Sequence, residues 1–283
     1  MAVAQVAQVT RTRALPLPTS GHRVWPHVLK AEWTKVRTVR STYWSILAAA
    51  VITIGLSSIV CAVVAAQYSG MSVRDRASVD PASISLTGGI LAQLAIAVFG
   101  VLIVTGEYAT GMIRTTFAAV PQRLSVLAAK VAVFSGVTLA AMTAACFAAF
   151  FLGQLILGTK DIGVGIGSPN ALRSVIGTAL YLTGLGLLAL GLGTLIRKTA
   201  GAITAVVGVV FVLPALTSFL PSSLDAMQKF LPSNAGAGIL NGNRKPGPEE
   251  IAILPAWVGL GVFFLYAAAA LALAAMAVSR RDA

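Results

Sequence analysis

Six long apolar runs separated by polar segments set the pattern of this chain. They extend from Tyr43 to Ala66, Leu86 to Thr105, Leu127 to Leu157, Leu172 to Ile196, Ala200 to Leu220 and Leu254 to Val278. Each reaches or exceeds the roughly 20 residues that a helix needs to cross a hydrocarbon layer of about 30 Å. Membrane-spanning strands would alternate over about ten residues, and these runs do not alternate. The pattern therefore predicts an all-α integral membrane protein with six transmembrane helices.

Ahead of the first run, PHVLKAEWTKVRTVRST repeats Leu29, Trp33, Val36 and Val39 or Arg40 at helical spacing, with Lys30, Lys35 and Arg37 on the other side. That suits an amphipathic helix over residues 27–41 lying in the membrane interface, its bases near anionic head groups of the bilayer. Tyr43 and Trp44 follow where an aromatic belt is expected. Residues 1–25 lack helical periodicity and read as a disordered tail, which leaves residues 26–283 as one six-helix domain. Their AVAQVAQV start precedes the first bases, the reverse of the order in a cleaved signal peptide.

Composition strengthens the membrane reading, with 57% hydrophobic and 11% charged residues against about one-quarter charged in an ordinary soluble domain. The net charge of +12 adds orientation. With the N-terminus inside, 14 of the Lys and Arg residues fall on inner segments and 7 on outer ones. The topology rule counts these bases near the membrane, so both termini are expected to be cytoplasmic, in a multi-pass protein of the cell membrane. The charge is then mainly topogenic, and no folded basic domain offers itself to nucleic acid.

Between the second and third runs lies GEYATGMIRTTFAAVPQRLSV, Gly106 to Val126. Glu107 falls at the C-terminal end of a span, where a negative charge opposes the helix dipole unless the helix stops or a cation pairs with it. Tyr108, Gly111 and Arg114 follow, Pro121 ends any helix after them, and Arg123 precedes the third span. The simpler account is a solvated loop with topogenic arginines; the alternative is a turn with one short surface helix on which another protein acts.

Small residues recur every four positions in the third span, at Ala128, Ala132, Gly136, Ala140, Ala144 and Ala148. Such a ridge lets helix backbones approach closely and reads as a packing seam, with a subunit interface as one possible place for it. Gly184, Gly186, Gly191 and Gly193 suggest a second close-packing face in the fourth span. Arg197 and Lys198 form a tight turn, so the fourth and fifth spans are expected to be antiparallel neighbours. Pro214 should kink the fifth. SSLDAMQKFLPS after Pro221 reads as a short interfacial or re-entrant helix ended by Pro232, followed by an irregular loop.

Candidate chemistry is sparse. His22 and His27 precede the first span, and Cys61 and Cys146 lie inside apolar runs, so neither a metal cluster nor a Cys and His nucleophile pair is supported. The nearest approach to a phosphate-binding loop, GLGTLIRKT, has Arg197 where the second Gly is required. No enzyme activity, bound metal or cofactor is expected of this chain. Gln93 in the second span reads as an interhelical hydrogen-bonding group, and the spans hold no charge suited to an ion relay apart from boundary residues such as Lys130.

AEWTKVRTVRSTYW, Ala31 to Trp44, and GEYATGMIRTTFAAVPQRLSVLAAK, Gly106 to Lys130, resemble the membrane subunit of type 2 ATP-binding-cassette transporters, the ABC-2 permeases, in their actinobacterial form. The resemblance runs over nearly the whole chain from Lys30 onward. It implies two six-helix permease subunits, as a homodimer or with a second permease, and separate nucleotide-binding ATPase subunits that hold ATP and Mg. It also assigns coupling to the ATPase partner to Glu107, Tyr108, Gly111, Arg114 and Arg123. An interfacial connecting role falls on Leu29, Lys30, Trp33, Lys35, Arg37 and Arg40. Export is the direction it implies, and cargo is left open. A membrane-anchored accessory protein without transport activity, or a secondary transporter, are the alternatives.

Overall fold

A computed structural model describes residues 21–217, 228–240 and 254–280. Within them the chain is helical, with no strand, and six helices are long and apolar enough to cross a membrane. The first helix, α1, runs Gly21–Thr38, starting before residue 27 and stopping short of 41. Val39 takes extended backbone angles (φ −80°, ψ 115°) and separates it from α2, Arg40–Gln67. Two short helices follow, α3 at Val73–Ser78 and α4 at Pro81–Ile84. Each is capped by its preceding side chain: Ser72 accepts from the Asp75 N–H and Asp80 from the Ala82 N–H.

The second span is α5, Gly88–Ala109, followed by the short α6, Met112–Ala119, and the third span α7, Arg123–Gly158. The fourth is α8, Ala171–Ile196. At its end Arg197 adopts left-handed angles (φ 60°) and Lys198 extended ones, so the chain reverses within two residues into α9, Thr199–Val207. A π-helical turn at Gly208–Val212 and α10, Leu213–Thr217, complete the fifth span. The π turn ends two residues before Pro214, which has no N–H for the carbonyl four residues back, so the ladder shifts there.

The reading of Pro232 is corrected. It begins a helix, α11 at Pro232–Leu240, where an irregular loop was expected. A proline suits the first helical position because its missing N–H would have no partner there. The helix expected before Pro232 falls mostly outside the described residues. The sixth span, α12, is Ala256–Arg280.

Helix α8 lies at the centre, packed against α5, α7, α12, α9 and α11, and it is the most enclosed of the six spans. Its glycines make this possible. A Cβ on Gly186 would meet the Phe134 ring at 2.5 Å, and one on Gly191 would stand 2.9 Å from the Ala270 Cβ. Gly100 of α5 lies against the Gly186 carbonyl in the same way. Gln93 of α5 accepts a hydrogen bond from the Tyr181 hydroxyl of α8 at 2.8 Å, an interhelical bond in an otherwise apolar core. Helix α1 lies across one end of this bundle, on α7 and the start of α2.

Candidate functional site

At the end of the bundle where α1 and α6 lie, four charged side chains meet. Glu107 stands in the last turn of α5, which closes at Thr110. Gly111 then takes left-handed angles (φ 71°, ψ 2°), a conformation that glycine adopts with least strain, and turns the chain into α6. Lys130 lies two turns into α7 and is buried. Helix α1 supplies the other two: Glu32 shares its inward face with Val28 and Val36, and Lys35 is one turn further on.

The contacts are short. Lys35 Nζ is 2.6 Å from Glu32 Oε1 and 2.9 Å from Glu107 Oε1. Lys130 Nζ is 2.7 Å from both Glu32 Oε2 and Glu107 Oε1. Side chains of Glu32, Glu107 and Lys130 are 4–6% exposed and that of Lys35 is 24% exposed, so Lys35 is the solvated member. Two acids and two bases make the cluster neutral. Such a set holds together because each charge has partners on two sides, whereas a single one left alone would carry the full desolvation penalty. The two ammonium groups also explain how Glu107 is tolerated against the helix dipole.

Burial alone would make the Lys35 ammonium easier to deprotonate. The Glu32 and Glu107 carboxylates outweigh that effect and hold it protonated above the ordinary lysine range. Glu107 Oε2 is enclosed and has no hydrogen-bond partner. Beside the cluster, between α1, α2 and α5, lies a cavity of about 340 Å³.

Among the coupling candidates, the structure draws Glu107 into the cluster and puts Tyr108 next to it, its ring 5.1 Å from the Arg197 guanidinium. Arg123 lies 5.5 Å over the Phe117 ring of α6 and donates to the Val278 carbonyl at the end of α12. Arg114 is apart from these, exposed on the outer face of α6. On α1, Leu29 packs against the buried cluster of Val28, Val126 and Ala129, as Phe117 and Val120 do, while Lys30 and Arg37, and Arg40 at the start of α2, are exposed.

The stripe of α1 that other helices of the chain enclose is Val28, Glu32 and Val36, whereas Trp33 is 46% exposed. The ridge of Ala132, Gly136, Ala140 and Ala144 is exposed, so it is no seam within this chain. The enclosed face of α7 instead carries Lys130, Phe134, Thr138, Met142 and Cys146. Glu32 and Lys130 were not singled out by their sequence context. The one local signal was Lys35 three residues after Glu32; Lys130 is 23 residues from Glu107 and 98 from Glu32, so only the fold brings it to them.

Comparison with protein-family models gives no match for the chain, and comparison with curated proteins gives none either. The architecture and the site define a helical protein with six candidate membrane spans and a buried, neutral charge cluster at one end.

Proposed function

We propose that the chain is the permease subunit of an ABC-2 type transporter, embedded in the cell membrane with both termini cytoplasmic and driven by separate ATPase subunits. The observation that carries this reading is the four-charge cluster. It joins the helix lying across the bundle, α1, to the end of the second span and the start of the third, beside the short α6 that a partner would push. A displacement of α6 is transmitted through Gly111 to Glu107, and from Glu107 through two lysines to α1 and α7. ATP-driven closure of the partners would thereby tilt α5 and α7 and alternate access at an interface with a second permease subunit, most plainly a second copy. Exposure of the small-residue ridge on α7 is compatible with such a pairing, and the cargo is exported.

The test is affinity purification of the tagged chain from its native membrane, with identification of co-purifying chains and their ATPase activity. Recovery of a stoichiometric nucleotide-binding subunit supports the reading. Arg114→Glu, on the exposed face of α6, should then lower transport-linked ATPase activity while the melting temperature stays that of the wild type. Recovery of the intact chain alone, or full activity in that variant, would count against coupling through α6.

A further inference from the structure

The cavity between α1, α2 and α5 has a volume of about 340 Å³. That lies within the roughly 300–1,000 Å³ of small-ligand pockets and equals the liquid volume of about eleven waters. Phe99, Leu102 and Ile103 of α5 give it an apolar wall, and the charge cluster closes its polar end. Val39 and Ser41, both exposed, also line it, so it opens to the molecular surface.

Two hydrogen-bonding positions at the polar end are unfilled. Glu107 Oε2 is enclosed without a partner. Lys35 has three N–H donors and two carboxylate acceptors, which leaves one donor on the most exposed member of the cluster. Glu107 itself lines the cavity, so its carboxylate borders the space a ligand would occupy.

The cluster is already neutral, so a charged head group would add an unpaired charge in a poorly solvated place. A hydroxyl adds none, and it can donate to the carboxylate while accepting from the ammonium. We infer that this cavity binds a neutral, hydroxyl-bearing amphiphile, with its O–H between Glu107 and Lys35 and its hydrocarbon along α5. A free alcohol and the glycerol hydroxyl of a neutral lipid share this chemistry. The inference stands whether or not the chain works with an ATPase.

The test is photolabelling of the full-length chain, reconstituted in phosphatidylcholine nanodiscs, with a diazirine-bearing octanol. Label is expected in peptides covering residues 36–45 and 99–107. It should be competed by 1-octanol about tenfold more effectively than by octylammonium or octanoate, because either charge would go unpaired beside the neutral cluster. Ser45→Phe and, separately, Leu102→Trp each fill the cavity and should abolish that labelling in protein that elutes and melts as folded. Native mass spectrometry of the chain extracted from its own membrane separates the sources: a bound acylglycerol displaced by 1-octanol assigns the lipid, and a bare chain that still takes the label assigns the free alcohol. Label spread over the outward faces of α2 and α12 and unchanged by either filled variant would overturn the inference, as would equal competition by the charged analogues.

Discussion

Replacing Lys130 by methionine removes one of two cations from a cluster in which both acids are almost fully enclosed. Methionine preserves most of the side-chain volume, so the change is chiefly electrostatic. Glu32 Oε2 loses Lys130, Glu107 Oε1 keeps Lys35 alone, and the site becomes net negative. Breaking a buried pair from one side costs about 3–5 kcal/mol, because the remaining charge stays desolvated. For a chain of this size that corresponds to a fall in melting temperature of roughly 6–20 °C. The double variant Lys130→Met with Glu107→Leu restores neutrality and leaves Glu32 and Lys35 paired at 2.6 Å. It should therefore be less destabilised than the two single changes add up to, by roughly 0.5–3 kcal/mol. Thermal melting of the four proteins of this cycle in one detergent measures both quantities. A Lys130→Met variant that melts with the wild type, or a double variant whose loss equals the sum of the singles, would refute the claim that these charges act as one unit.

Two glycines give opposite outcomes. Gly100→Ala places a methyl against the Gly186 carbonyl and 2.9 Å from the Ala189 Cβ, so overpacking should cost about 1–3 kcal/mol, whereas Gly136→Ala meets nothing within 4 Å and should gain up to about 1 kcal/mol of helix propensity; paired melting curves check the sign of each. The Lys35 ammonium, held protonated beyond the ordinary 10.5, contributes stability that is complete below that pH and is lost as pH rises through its folded-state value. The difference in melting temperature between wild type and Lys35→Met should thus be constant near neutrality and shrink above about pH 10.5. A difference that grows with pH would reverse the assignment.

What the sequence by itself determined is the set of spans, because a continuous apolar run of some twenty residues needs no partner to declare itself, and the ends of α5, α7 and α8 fall close to the expected ones. The tight Arg197–Lys198 reversal and the close approach of α8 were also legible, since they depend on local chain length and on glycine. Glu107 stood out from its place at a helix end. Its partners did not, because Glu32, Lys35 and Lys130 lie 75, 72 and 23 residues away and only packing makes them neighbours. Periodicity likewise gave α1 an apolar face through Trp33, but could not tell which stripe meets α7. The tertiary structure sets that helix with Glu32 inward, where Lys130 of α7, 98 residues away in sequence, pairs with it at 2.7 Å; an ionic contact across that separation leaves no trace in local periodicity.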